Sequence, residues 1–128
     1  MIKLSYCLRR RADISRDDFQ HYWRTTHAPL VAGVAETLGV RRYVQSHTIP
    51  TGLDAALASA RGCAVEAYDG IAELWWDDEA SLMAGSSSEA GQQAGALLLK
   101  DEANFIDFER SAIFFVRENV VVGAHPNA

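Results

Sequence analysis

Two segments of the chain have large aromatic side chains at adjacent positions within an apolar pattern typical of β-strands. Trp75 and Trp76 end the first segment, I-A-E-L-W-W, and Phe114 and Phe115 lie in the second, A-I-F-F-V. Because successive side chains of a strand point to opposite faces of a sheet, both faces of this sheet receive aromatic groups. Exposing such a side chain to water forgoes roughly 1.5–3 kcal/mol of burial free energy. The sequence therefore predicts a sheet that is covered on both faces.

The periodicity of apolar residues along the rest of the chain predicts the order β-α-β-β-α-β. Alternation of apolar and polar residues at Ile2–Arg9 indicates the first strand. Ser15 and Asp18 form a capping-box-like start for a helix that begins at about Arg16, and Gly39 is placed to end it. The further predicted elements are strands at 40–49, 71–76 and 112–122, a short insert at about 51–66, a helix capped by Asp77 and Asp78, a helix from about Glu89 to Glu102, and a flexible tail at 123–128.

This order of elements is that of the ferredoxin-like α+β fold, here as one domain over residues 1–128. The helices of that fold cover only one face of the sheet, so the aromatic groups on the other face need a different cover. A second copy of the chain supplies it most simply, because two sheets related by a two-fold axis can close face to face. We therefore expect a homodimer.

Composition narrows the classes of partner. The chain has 128 residues, 48% of them hydrophobic, and a net charge of −5, which suits one core and lacks the basic surface of a nucleic-acid-binding protein. No apolar run approaches the roughly 20 residues that cross a bilayer, and the N-terminal apolar segment is too short for a signal peptide. We expect a cytoplasmic protein without nucleic-acid or membrane partners. Cys7 and Cys63 lie far apart and outside any ligand spacing, and Cys7, within a predicted strand, is expected to be a reduced thiol that packs as a small hydrophobic group.

The first predicted helix contains a proline beside a histidine. His27 lies between Trp23 and Leu30 along the apolar side of the helix, and His21 lies away from that side. Pro29 lacks a backbone N–H and crowds the preceding turn, so a kink is expected near residues 25–28. The kink would leave carbonyl groups free next to the His27 ring.

His27 is the sharpest candidate for chemistry, because histidine titrates near neutrality and is here placed at a kink. It would serve as a general acid or base in a pocket. The alternative is that its ring bonds a free carbonyl or Tyr22 and only stabilises the kink. Trp23 fits the apolar side of the helix, which leaves the adjacent Tyr22 for polar contacts.

The second predicted strand has polar side chains on both faces. Arg41, Tyr43, Gln45 and His47 share one face by alternation, and Arg42 lies on the other. Arginine and hydrogen-bonding groups suit a carboxylate or an enolate. The alternative for the first set is the polar rim of an interface.

The third and fourth strands supply aromatic groups and one carboxylate. Trp75 and Trp76 in the third strand, with Phe114 and Phe115 in the fourth, would form the wall of a cavity for a flat, apolar ligand, although core packing explains most of them equally well. Glu73 lies between apolar neighbours in mid-strand, so it needs a partner such as an arginine, or it is kept protonated as an acid.

No metal site is predicted, because the histidines have no ligand spacing with cysteine or acidic residues. We expect no cofactor. Haem binding stays an alternative, since one axial histidine suffices and either His27 or His47 would supply it. The four histidines considered are His21, His27, His47 and His125.

The segment L-R-R-R-A-D-I-S-R-D-D-F-Q-H-Y-W-R-T-T-H-A-P-L-V resembles the first-helix signature of the EthD family, within the dimeric α+β barrel superfamily. The segment Y-D-G-I-A-E-L-W-W-D-D resembles the third strand of that family, and D-E-A-N-F-I-D resembles its acidic lead-in to the last strand. The resemblance implies a ferredoxin-like fold that forms a dimeric α+β barrel. The signature residues in the first helix are Phe19, Tyr22, Trp23, His27, Ala28 and Pro29.

What the resemblance implies about function is broader, because one fold serves many reactions. It suggests the metabolism of small organic molecules (ethers such as ethyl tert-butyl ether, aromatic compounds, polyketides or lactones) by an isomerase, a dehydratase or a cofactor-free oxygenase. His27 would transfer the proton, with Tyr22 and Glu73 as further catalytic residues. The alternatives are a non-catalytic binding or accessory protein of a degradation pathway, and a haem-binding member of the superfamily. The residues expected to bind the substrate are Arg42, Tyr43, Trp23, Trp75 and Phe115.

Overall fold

The computed structural model describes residues 1–124, and the four strands in this range form one antiparallel sheet. From one edge of the sheet to the other, the second strand of the chain is followed by the third, the first and the fourth, so the predicted ferredoxin-like α+β fold is confirmed. Most of the predicted tail, from His125 onward, lies outside the described residues. The elements are β1 (Ile2–Leu8), α1 (Arg16–Tyr22), a π-helical turn (Trp23–His27), α2 (Ala28–Leu38), β2 (Arg42–His47), α3 (Leu53–Arg61), β3 (Gly70–Trp76), α4 (Glu79–Ser87), α5 (Glu89–Glu102) and β4 (Ala112–Val116).

The two ends of the first helical region follow the predicted capping chemistry. Ser15 Oγ accepts the backbone N–H of Asp18 at 3.0 Å, which satisfies one of the free donors of the first turn. Gly39 ends α2 in a left-handed conformation with a φ of 77°, which a residue with a Cβ adopts only with strain. The helical region therefore begins and ends where the sequence predicts.

The turn that precedes Pro29 widens into a π-helix. The N–H of Ala28 bonds to the carbonyl of Trp23, five residues back. The same carbonyl accepts a hydrogen bond from Gln45 Nε2 at 3.0 Å, so β2 supports the turn from the side. Trp23 and His27, the first and last residues of the turn, are both buried. The predicted kink is thus a π-helical turn that directs two side chains inward.

The helical layer packs on one face of the sheet. Gly70 of β3 lies directly under Trp23, and a Cβ at this position would collide with the indole ring. The close approach of helix and strand at this point brings the π-helical turn down onto the sheet. The buried cluster between the two layers consists of Leu8, Phe19, Trp23, Ala72, Phe105 and Ile106.

The opposite face of the sheet is only partly covered. Ile71 and Phe114 have exposed fractions of 37% and 49%. Trp75, on the same face, is buried because Arg42 lies over its ring at 5.0 Å and Glu118 Oε1 accepts its indole N–H at 2.7 Å. The expected need for another cover therefore concerns Ile71 and Phe114, whereas polar side chains of the same chain cover Trp75.

Two strands are shorter than their apolar patterns predict. The strand predicted at 112–122 ends at Val116, because Val116 already pairs with Lys3, near the start of β1. The strand predicted at 40–49 runs only over 42–47, where it pairs with β3. Apolar residues beyond these limits have no neighbouring strand to bond, and the pattern alone does not reveal this.

Three other sequence predictions concern single segments or side chains. The predicted insert at about 51–66 contains the helix α3. Cys7 and Cys63 are both free thiols. No helix within residues 1–124 combines the length and the apolar character needed to cross a membrane.

Candidate functional site

A cavity of about 260 Å³ lies between the helical layer and the sheet. Trp23, Trp76 and Phe115 form the aromatic part of its wall, and most of the other lining residues are aliphatic. Ile113 and Phe115, on the edge strand β4, also line the cavity and are 58% and 52% exposed. The cavity therefore opens to solvent beside β4.

Five polar side chains interrupt this apolar wall, and they come from different elements. His27 is contributed by the π-helical turn, Tyr6 by β1, Tyr43 by β2, Ser86 by α4 and Glu102 by the end of α5. A mainly apolar cavity with a few convergent polar groups is typical of a small-molecule site. The cavity is the candidate functional site.

His27 is held by a carboxylate behind it. Its Nδ1 lies 2.7 Å from Asp101 Oδ2, and the other oxygen of Asp101 accepts the hydroxyl of Tyr22 at 2.7 Å. Burial opposes the charge of Asp101, but hydrogen bonds from Tyr22 and His27 outweigh it and hold its pKa below the usual value. Asp101 is therefore a carboxylate that only accepts hydrogen bonds.

This arrangement fixes which nitrogen of His27 carries the proton. Burial lowers the pKa of His27 below the 6.5 of a free histidine, although Asp101 counteracts the shift. The neutral ring donates its Nδ1 proton to Asp101, so the lone pair is on Nε2. Within residues 1–124, Nε2 has no hydrogen-bond partner, and the ring lines the cavity. His27 can therefore act as a general base toward a molecule in the cavity.

A second carboxyl group borders the same cavity. Glu102 follows Asp101 directly, and its carboxyl group interacts with the hydroxyl of Tyr6. Burial raises the pKa of Glu102 above its usual value; the Tyr6 hydroxyl counteracts this shift and the negative charge of Asp101 adds to it. The pKa values of two adjacent carboxyl groups are thus displaced in opposite directions, with that of Asp101 lowered and that of Glu102 raised.

The structure brings together half of the residues predicted for the site. His27, Trp23, Tyr43 and Phe115 all line the cavity. Tyr22 does not line it and instead contacts the site through its hydrogen bond to Asp101.

Glu73, Trp75 and Arg42 lie on the other face of the sheet. Leu74 and Trp76 line the cavity, so their neighbours in β3 point away from it. Glu73 pairs with Lys3 at 2.7 Å, so its basic partner is a lysine and not the arginine suggested by the sequence. Glu73 and His27 therefore do not meet in one site, and Arg42 and Trp75 do not contact a molecule in the cavity.

Asp101, Glu102 and Tyr6 are not among the residues predicted from the sequence. A signal for the first two exists, because both stand in the acidic segment D-E-A-N-F-I-D that carries part of the family resemblance. Nothing in the sequence pairs Asp101 with His27, which lies 74 residues away. Tyr6 alternates with leucines and gives no sign that its hydroxyl faces a polar group.

The predictions about metal and haem binding also concern His47 and His125. No group of three side chains that could hold a metal ion occurs in the described part of the chain. His47 does not line the cavity; its ring stacks on Trp23 with 4.5 Å between centroids, and its Nε2 lies 2.9 Å from Gln45 Oε1. His125 lies outside the described residues.

Comparison with known proteins identifies relatives of the sequence and of the fold. The sequence model of the EthD domain matches residues 11–109. The structure is similar to that of an EthD family protein from Bacillus halodurans C-125, with a TM-score of 0.61 and 19% identity over 93% of this chain and 99% of that one. No curated protein sequence matches the chain significantly.

Two further solved structures have the same fold. An EthD-like protein from Ralstonia eutropha JMP134 has a TM-score of 0.60 and 17% identity, over 99% of this chain and 96% of that one. A dimeric protein of unknown function and ferredoxin-like fold from Bacteroides fragilis NCTC 9343 has a TM-score of 0.57 and 10% identity, over 91% of this chain and 95% of that one. At such identities the similarity concerns the fold.

Proposed function

The chain belongs to the EthD domain family, and from this premise we propose that it is an enzyme of small-organic-molecule metabolism in which His27 is the general base. The observation that carries the proposal is the hydrogen bond of 2.7 Å between His27 Nδ1 and Asp101, which leaves Nε2 for the cavity. A basic nitrogen with its lone pair toward the cavity is the group that a proton transfer requires. The reaction proposed is removal of a proton from carbon, the first step of an isomerisation or a dehydration.

The cavity supports a small and mainly apolar substrate. Its volume of about 260 Å³ is just below the range of roughly 300–1,000 Å³ found for drug-sized ligands. Trp23, Trp76 and Phe115 offer flat surfaces on which a ring can pack. A compound with one or two rings and a carbonyl group fits these properties.

The experiment is deuterium exchange at the carbon next to a carbonyl group. The protein is incubated in D2O at pH 7 with 2-tetralone or 1-indanone, and loss of the proton signal is followed by NMR. We expect exchange faster than in buffer, and suppression of it by naphthalene, a flat apolar compound of similar size that has no such proton. If naphthalene binds but neither ketone exchanges, the protein is a binding protein and the proposal is wrong.

We also propose that a second copy of the chain covers the face with Ile71 and Phe114. Support comes from the exposure of these two side chains and from the dimeric relative of the same fold. Two such sheets related by a two-fold axis present the same apolar patch to each other.

The dimer is tested by Phe114→Lys, which places a charge in the apolar patch. We expect the dimer dissociation constant to rise at least about tenfold, equivalent to roughly 1.4 kcal/mol, as measured by sedimentation equilibrium. Phe108→Lys is the matched control, because Phe108 has a similar exposed fraction, 42%, and lies outside the sheet. A wild-type protein that sediments as a monomer at all concentrations would contradict this proposal.

A further inference from the structure

We propose that Glu102 donates a hydrogen bond to an uncharged oxygen of the molecule in the cavity, so that the site takes neutral carbonyl compounds and rejects carboxylates. The inference rests on the proposed function, because it names the substrate class of the same cavity. It adds Glu102 as a proton donor to the same cavity in which His27 is the proton acceptor.

The first observation is the position of Glu102. It ends α5, and the residue before it, Asp101, holds His27. Glu102 and His27 line the same cavity. One turn of helix thus supports the base from behind and also supplies a carboxyl group to the wall. A substrate between these two side chains would meet a proton acceptor and a proton donor together.

The second observation is the set of charges around Glu102. The titratable groups that face it are Tyr6 from β1, Tyr43 from β2, His27 from the π-helical turn and Asp101 from its own helix. Of the cavity-lining residues within 1–124, none is a lysine or an arginine. With no cation near, burial favours the protonated form of Glu102.

Binding of a carboxylate ligand to this cavity would be unfavourable. The ligand would lose its hydration without gaining a cationic partner, and it would lie close to the ionised Asp101 behind His27. Arg42, predicted from the sequence as an anion-binding residue, lies over Trp75 on the opposite face of the sheet. A ketone or an ester oxygen carries no charge and needs only the donor that Glu102 provides.

The chemistry balances without another reactant. The C–H bond next to the carbonyl breaks, the proton goes to His27 Nε2, and the electron pair forms the C=C bond of an enol. The carbonyl oxygen takes the proton of Glu102, whose carboxylate then accepts the hydroxyl of Tyr6. The proton on His27 Nε2 exchanges with D2O, and reversal of both transfers then returns the ketone with deuterium at carbon.

Binding of a matched pair of compounds tests the substrate class without any need for turnover. Isothermal titration at pH 7 compares 2-acetylnaphthalene with 2-naphthoate, which differ in charge and little in shape. We expect the ketone to bind at least about tenfold more tightly, equivalent to roughly 1.4 kcal/mol. Glu102→Gln keeps a hydrogen-bond donor, so the dissociation constant of the ketone should stay within about twofold of the wild-type value. In Glu102→Ala the donor is lost, and the dissociation constant should rise about fivefold. Equal or tighter binding of 2-naphthoate by the wild type would overturn the inference.

The pH profile of deuterium exchange tests the role of Glu102 in the reaction. The rate should rise with pH as His27 loses its proton, at a pKa below 6.5, and fall as Glu102 loses its own, at a pKa above 4.5. In Glu102→Gln the fall at high pH should vanish and the rise should persist, while the control Glu109→Gln, at an exposed position, keeps both. A fall that persists in Glu102→Gln would overturn the role. His27→Gln should strongly lower the rate of exchange and retain the preference for the ketone, so the two proposals fail in different measurements.

Discussion

Replacing His27 with glutamine is expected to lower the rate of deuterium exchange by about 10²–10⁴-fold, the usual contribution of a general base. Glutamine is close in size to histidine and can still hydrogen-bond Asp101, so the π-helical turn should persist. The amide has no basic nitrogen, so the proton on carbon has no acceptor. Exchange of 2-tetralone, followed by NMR at pH 7, measures the loss, and circular dichroism verifies the fold.

The matched control is His21→Gln, because His21 belongs to the same helical region and is exposed. It should exchange the ketone at the wild-type rate. Asp101→Asn should give an intermediate rate, since the carboxylate that selects the Nδ1–H tautomer is lost while the imidazole remains. Full activity in a folded His27→Gln variant would place the base elsewhere.

Replacing Phe105 with alanine is expected to lower the free energy of unfolding by about 3–5 kcal/mol, as for other large aromatic residues in a core. Phe105 is 1% exposed and packs on Phe19, Tyr22 and His27, with ring centroids 5.1–5.4 Å apart. The substitution removes the group on which these three rings rest. Urea unfolding followed by circular dichroism measures the effect.

Phe108→Ala is the comparison for this variant. The two phenylalanines are three residues apart, but Phe108 is 42% exposed, so its loss should change the free energy of unfolding by less than about 0.5 kcal/mol. A similar loss of stability in both variants would contradict this prediction. It would mean that the segment between α5 and β4 stabilises the fold as a whole and that the packing around Phe105 has no special contribution.

The elements and their order are predictable because they depend on neighbours in sequence. Ser15 caps α1 through its own side chain, and Gly39 ends α2 through its own backbone conformation. Alternation in the first strand separates its two faces correctly, since Leu4, Tyr6 and Leu8 all line the cavity. Such signals lie within a few residues of the feature that they specify.

The candidate site is only partly predictable, because it is assembled across the fold. The sequence of β3 does not indicate on which face of the sheet Glu73 and Trp75 lie, because both faces of that strand are rich in apolar groups. Asp101 meets His27 only when α5 lies beside the π-helical turn. A single sequence contains the residues of this contact but no measure of their distance.

The extra residue of the π-helical turn has a geometric consequence for the whole helical region. Each residue advances an α-helix by about 100° around its axis. The hydrogen bond from Ala28 to Trp23 spans five residues and not four, so the side chains of α2 are rotated around the axis relative to those of α1. Phe19 on α1 and Val31 on α2 are both buried. A regular helix over the same 23 positions (16–38) would lack this rotation between its two halves. The extra residue therefore lets α1 and α2 bury Phe19 and Val31 on the same side of the helical region.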